Sequence, residues 1–287
     1  MKKLLSVLLA LVMILVLASC AKKEPAAPAE PAPAAPAADD AAEDAEETQT
    51  TTFTMGIDAE YPPFSFMGDD GEYTGFDVEI CKAACEKLGW NFEVFGVNWD
   101  EKLIQLDAGE CDCVWSGMTL LDSMSEAGYV LSAPYYNNNQ VLLVKEDSDF
   151  NDGADLEGFV VAVMLGTSGE ALLNNELTDW AATFDSITTC ESFLKCFAEL
   201  GGDAVDAVFV DYPVAKSYAE ENEGYRIVDT YPGSDEFTEQ YGIAFRADDQ
   251  DLCDAIEGAV AELVEDGTYA EIAEKYEDVK PGLIFLG

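Results

Sequence analysis

The chain has 287 residues, with 14 Lys and Arg against 58 Asp and Glu, a formal net charge of −44 at pH 7, and no histidine. A surface so acidic repels phosphate backbones and excludes nucleic acid as a partner. The missing imidazoles exclude His-dependent Ser and Cys triads and remove the commonest transition-metal ligand. Hydrophobic residues make up 49% of the chain, enough for one large domain or two of ordinary size.

Lys2 and Lys3 precede an apolar run from Leu4 to Ala18, too short for a comfortable membrane span, and residues 1–19 read as an export signal. The run closes on Leu17-Ala18-Ser19-Cys20, which resembles a bacterial lipobox. That resemblance implies a lipid on Cys20 and a mature protein held at the extracytoplasmic face of the cell membrane. Residues 21–52, AKKEPAAPAEPAPAAPAADDAAEDAEETQTTT, offer nothing to bury, so 20–52 is expected to be a disordered tether.

The globular body opens with alternating Phe53, Met55 and Ile57, a strand pattern, and PPFSFMGDDGEYTGF reads as a hairpin turning at Gly68–Gly71. Asp77 is placed to cap a helix whose Ile80, Cys81, Ala84, Cys85 and Leu88 form one apolar stripe. A helix over Trp99–Leu106, a strand over Cys111–Ser116, a short helix and a strand over Gln140–Val144 follow. A second unit starts with the buried-strand run FVVAVM at 159–164 and the glycine turn GTSGE opening a helix. ATFDSI, CESFLKCFAEL, DAVFVD, YPVAKSYAEEN and YRIVD then read as strand, helix, strand, helix, strand. YGIAFRADD leads into the amphipathic helix DLCDAIEGAVAELVEDG and a last one, YAEIAEKYE. This alternation predicts an α/β fold of two lobes, each a mainly parallel sheet flanked by helices, with a ligand cleft between them.

Seven cysteines follow Cys20, an odd number. Cys81 and Cys85 lie one helical turn apart, and Cys111 and Cys113 flank Asp112. With no histidine and no second cluster they read first as small buried apolar residues, with disulfides or a metal as alternatives. No cofactor is implied.

GIDAEYPPFSFMGDDGEYTGFDVEI, LIQLDAGECDCVWSGMT, SAPYYNNNQVLLV, VAVMLGTSGE, DAVFVDYPVAKSY, YGIAFRADDQDL and EDGTYAEIAEKYE, in that order over 53–280, resemble type II extracellular solute-binding proteins of ABC importers, in the polar amino-acid branch. The resemblance implies a periplasmic-binding-protein-like fold with lobe one at 53–142 and 240–287, lobe two at 143–239, and crossings near 140–145 and 238–244. It implies hinge closure on an amino acid, no catalysis, and a monomer that delivers its solute to a membrane permease.

Carried over position by position, Asp58 and Tyr61 line the side-chain end of the pocket, and Trp99, with Phe66 as a weaker candidate, covers the ligand. Gly117 through its N–H and Thr119 through its hydroxyl hold the ligand carboxylate. Thr167 and Ser168 open a helix whose N–H groups favour an anion, and Asp211 pairs with the ligand ammonium. Each has a plainer alternative: core aromatics for Tyr61 and Trp99, a helix cap for Asp211, turn hydroxyls for the threonines, a solvated acid for Asp58. One departure stands out. Where the family places an arginine for the carboxylate, five residues beyond Thr119, this chain has Met124. That leaves open a cationic amine or basic amino acid as ligand, or an ordinary amino acid held without a guanidinium. A dehydratase on the same fold, or a receptor's ligand-sensing domain, is a more remote reading.

Overall fold

The computed structural model describes residues 50–150 and 156–286. The export signal, Cys20 and nearly all of the tether lie outside the described residues. The body begins with β1 (Thr52–Ile57), and Phe53, Met55 and Ile57 are all buried, as their alternation predicts. Short β2 (Glu60–Tyr61), β3 (Ser65–Met67) and β4 (Tyr73–Thr74) form a separate three-stranded sheet. Its hairpin closes where the Gly68 N–H donates to the Glu72 carbonyl.

Next come α1 (Phe76–Leu88), β5 (Asn91–Gly96), a 3-10 turn at Trp99–Glu101, α2 (Lys102–Asp107), β6 (Cys113–Thr119), α3 (Asp122–Ala127) and β7 (Val130–Leu131). Helix α1 buries Ile80, Cys81, Ala84 and Cys85 and stops at Gly89, whose φ of 68° suits glycine. Each large side chain buried in this way stabilises the fold by about 1.5–3 kcal/mol. Asp77 does not cap α1, because the N-cap position is Gly75. It sits in the first turn, fully buried, and its carboxylate turns inward to accept from the Gly117 N–H and the Tyr135 hydroxyl.

After β8 (Tyr136–Lys145) the second unit runs β9 (Val160–Met164), α4 (Ser168–Asn175), α5 (Thr178–Ala181), β10 (Ser186–Cys190), α6 (Phe193–Gly201), β11 (Ala207–Asp211), α7 (Tyr212–Glu221) and β12 (Tyr225–Val228). The chain returns on β13 (Thr238–Phe245) and ends with α8 (Gln250–Asp266) and α9 (Thr268–Ala273).

The large sheet runs β10-β9-β11-β8-β13-β6-β1-β5, with β12 on β8 and β7 on β13. β1 is parallel to β5 and β6, and β9 is parallel to β10 and β11. The middle strands are antiparallel to their neighbours because they carry the chain out and back. In β8, Tyr136–Asn139 pair with β13, whereas Gln140–Val144 pair with β11. The partner changes between Asn139 and Gln140, so one strand belongs to both half-sheets. β13 makes the return crossing, with Thr238 opposite Asn139 and Tyr241 opposite Thr119.

All seven cysteines of the body are free and buried. They serve as the small apolar residues expected of them. The two body arginines are structural. Arg226 donates to the Ser148 and Phe150 carbonyls, and Arg246 binds the Cys111 carbonyl, Asp112 and Asp249. Among the described residues no helix is long and apolar enough to cross a membrane.

Candidate functional site

The cleft forms where strand ends of the two half-sheets face each other. Asp58, Tyr61, Trp99, Gly117 and Thr119 reach it from one side, and Thr167, Ser168 and Asp211 from the other. These residues line a single cavity of about 30 Å³, room for one or two waters. Phe66 does not line it. On β3 the inward position is Ser65, which donates to the Asp58 carbonyl, and strand alternation turns Phe66 the other way. The buried aromatic behind the site is Phe64, 5.6 Å from Tyr61 ring to ring.

Asp211 stands at the N-cap position of α7 but makes no capping bond. Instead one oxygen accepts from Asn138 and Gln140, each at 2.7 Å, and the other from the Tyr61 hydroxyl at 2.9 Å. Asn138 and Gln140 flank the partner switch in β8, so the hinge strand itself orients this acid. No described cation reaches it, and burial pushes its carboxyl above the usual range.

A second buried acid, Glu239, went unremarked in the sequence. One of its oxygens accepts from Thr119 at 3.1 Å, Ser168 at 3.0 Å, Asn138 at 3.0 Å and Gln140 at 3.2 Å. Burial, and then the neighbouring charge of Asp211, push it up to about 7. Its signal was the alternation of Glu239, Tyr241 and Ile243, which puts the acid on the inward face.

The carboxylate end differs in detail from the sequence reading. The Gly117 N–H donates to Asp77 at 2.8 Å and so is engaged within the protein. Gly117 instead provides clearance: its φ is +52°, and a Cβ there would lie 2.4 Å from the Tyr61 ring. The Thr119 and Ser168 hydroxyls meet each other at 3.2 Å and both reach Glu239. The Thr167 oxygen accepts the Glu170 N–H as the N-cap of α4, while its hydroxyl donates to the Met164 carbonyl. Met124 is buried and does line the cavity, beside Met118, Leu121 and Met164. An apolar wall therefore stands at position 124.

A cation does reach the cleft, from α2. Lys102 lines the cavity and donates to the Trp99 carbonyl at 3.0 Å and the Gly166 carbonyl at 2.8 Å, its ammonium 4.7 Å from the Trp99 ring centre. Burial lowers it to about 8. Its spacing of one turn from Trp99 was the available clue. Asp58 is pushed up to about 6 by burial, against the pull of the Glu60 N–H and the Lys102 charge.

Several contacts join the two sides. Tyr61 reaches Asp211, Thr119 reaches Ser168, Lys102 reaches Gly166, and Lys216 pairs with Asp278. At Gly166, with φ +73°, a Cβ would come within 2.7 Å of the Asp100 Cα. The cleft is closed. No group of described residues is placed to hold a metal ion.

Asp77 supports Gly117 from behind, and burial raises its carboxyl to about 7. An acid with a raised folded-state pKa favours the fold below its ordinary range and loses that contribution as pH climbs through about 7. The thermal midpoint is therefore expected to fall as pH rises from about 4 to about 8, in about 0.5 M salt to screen the surface charge. Asp77→Asn should flatten that fall, and thermal denaturation across pH checks it; an unchanged slope would count against the assignment.

The family model for bacterial extracellular solute-binding proteins, family 3, matches residues 53–279. The L-cystine-binding protein TcyJ of Escherichia coli (strain K12) is 31% identical over 228 residues, 78% of this chain and 82% of that protein. A substrate-binding protein of an ABC uptake transporter from Streptococcus pneumoniae, solved with bound histidine, superposes with a TM-score of 0.74 at 28% identity, covering 79% of this chain and 94% of its own. The ancestral amino acid-binding protein AncCDT-1, a precursor of cyclohexadienyl dehydratase, gives 0.69 at 32% identity, covering 78% and 95%. With a closed cleft between two half-sheets and a family match over nearly the whole described body, the chain belongs to the bacterial extracellular solute-binding proteins, family 3.

Proposed function

We propose that this protein captures an amino acid between its two lobes and, by closing, presents it to an ABC permease. The observation that carries this reading is Asp211, a buried acid hydrogen-bonded on both oxygens and facing the cleft with no described cation against it. A ligand ammonium is the partner that such a group lacks. The ligand carboxylate would meet first-turn N–H groups of α4, which no helix carbonyl can satisfy. Relatives named for cystine, arginine and histidine support an amino-acid ligand.

Lobe one would comprise 53–142 and 240–287 and lobe two 143–239, with β8 and β13 as the hinge. Change of partner inside β8 supports that division. The activity is capture and release without turnover. A lipid on Cys20 would hold the monomer at the extracytoplasmic face, and Cys20→Ala is expected to abolish incorporation of labelled palmitate in the cell; retained label would remove the anchor.

Met124 keeps a second reading in play, a purely cationic amine. Met124→Arg separates the two. It is expected to tighten carboxylate-bearing ligands at least about tenfold, the order of one charge-assisted pair, and to weaken amines without a carboxylate. Mass spectrometry of the co-purified solute tests the main reading, and a solute without an amino-acid group would overturn it.

A further inference from the structure

Glu239 already holds the hydroxyls that a ligand carboxylate needs. Its Oε2 atom accepts from Thr119 and from Ser168, which line the cavity from opposite sides. A hydroxyl carries a single hydrogen. While Glu239 is ionised, the Ser168 hydrogen points at it, and the Thr119 hydrogen points at Glu239 or Ser168. Neither is left for a ligand, and a ligand carboxylate would be a second anion beside the first. Among the described residues no cation bonds Glu239. Lys102 is spent on the Trp99 and Gly166 carbonyls and faces the charges of Asp58, Asp100 and Glu170.

The network around Glu239 is also short of hydrogens. The side-chain amides of Asn138 and Gln140 each donate to both Asp211 and Glu239. Their amide oxygens are buried and accept from nothing among the described residues. Two carboxylates therefore share two amide donors. The other titratable groups beside Glu239 are the phenols of Tyr61, Tyr231 and Tyr241, all raised by burial and so neutral. Asp211 has the shorter bonds, at 2.7, 2.7 and 2.9 Å, whereas those to Glu239 run from 3.0 to 3.2 Å. Shorter bonds to a carboxylate favour its ionised form. The charge of the pair thus belongs on Asp211 and its proton on Glu239.

We propose, resting on the amino-acid reading above, that Glu239 is a positioning residue for the ligand carboxylate and acts in its protonated form. A proton taken from solvent sits on the Glu239 carboxyl, which then donates into the network. Thr119 and Ser168 are released to turn their hydrogens toward the ligand carboxylate, and the like-charge repulsion is removed. Asp211 stays ionised against the ligand ammonium. Burial and the Asp211 charge hold Glu239 at about 7, so the protonated form is populated near neutral pH. It is lost as pH rises through that value, and affinity for an amino acid falls with it.

The test is calorimetric titration of the full chain, stripped of solute by unfolding and refolding, in about 0.5 M salt to screen the surface charge. The common amino acids and L-cystine are screened at about pH 6, and the tightest binder is carried to about pH 8. Its affinity is expected to fall at least about fivefold over that interval, because each pH unit above the titration costs up to about tenfold. At about pH 7.5, heats measured in phosphate and in Tris buffer are expected to differ by a net uptake of protons on binding. Glu239→Gln, whose amide donates and does not ionise, is expected to bind that amino acid as the parent does at the lower pH and to lose the fall. Any titration of the amino acid itself would persist in the variant. If Glu239 only braces the hinge, the variant weakens alike at both pH values and keeps the parent's slope, which would overturn the assignment. In the parent, constant affinity or a net release of protons would overturn it as well, while leaving the amino-acid reading standing. If nothing in the panel binds, both fall.

Discussion

Asp211→Ala is expected to weaken binding of the cognate amino acid at least about 30-fold, with little change in the melting temperature of the empty protein. Removing one partner of a buried, hydrogen-bonded charge pair costs about 2–5 kcal/mol. In the ligand complex the missing carboxylate would leave an ammonium buried without a counter-ion. In the empty protein the same change relieves an acid that burial already disfavours and that Glu239 faces across shared Asn138 and Gln140 donors. Stability and affinity are therefore expected to move separately. Calorimetric titration beside thermal denaturation reads both, and an unchanged affinity would remove the ammonium role from Asp211.

Gly117→Ala is the second large effect. A left-handed φ on a non-glycine residue costs about 1–3 kcal/mol, and forcing extra volume into a packed site costs a similar amount. Here the added carbon would lie 2.4 Å from the Tyr61 ring and 3.1 Å from the Tyr241 ring. The Tyr61 hydroxyl bonds both Asp211 and Tyr241 at 2.9 Å, so pushing the ring moves the acid's partner as well. The expected result is a melting temperature lowered by roughly 5–15 °C, from about 2–4 °C per kcal/mol at this chain length, together with lost ligand binding. A variant that melts like the parent and binds normally would show that the clearance at Gly117 is not needed.

Much of this was legible in the sequence, for reasons specific to each element. Phe53, Met55 and Ile57 alternate, FVVAVM is a continuous buried run, and Ile80, Cys81, Ala84 and Cys85 repeat at helical spacing. Each pattern follows from which face is buried. Strand boundaries were less legible. Gln140–Val144 reads as a strand from its apolar residues, but β8 begins at Tyr136, because YNNN pairs with β13 through backbone groups that no side-chain pattern reveals. β13 begins at Thr238 for the same reason.

The residues of the cleft split along a similar line. Asp58, Tyr61, Trp99, Thr119 and Asp211 sit in stretches whose family resemblance marks them, and all line the cavity. Glu239 and Lys102 do not stand out that way. Each is a charged residue on an element that looks solvent-facing by composition, and only the packing of the second half against the first buries it. Gly166, which also approaches Asp100, accepts from Lys102 across 64 positions of the chain. Phe66 fails for a local reason, since it is one residue out of phase with the inward face of β3. Asp77 fails for another: capping chemistry and a buried supporting carboxylate look the same in sequence until Gly117 is brought beside it.

The central claim is that closure on an amino acid is the activity of this chain. Calorimetric titration of the solute-stripped protein with the common amino acids, L-cystine and a panel of simple amines tests it most directly. Saturable binding of at least one amino acid with one site per chain, lost in Asp211→Ala, is the expected result. Binding of none of them by a protein shown beforehand to be folded and empty, or binding of amines alone, would contradict it.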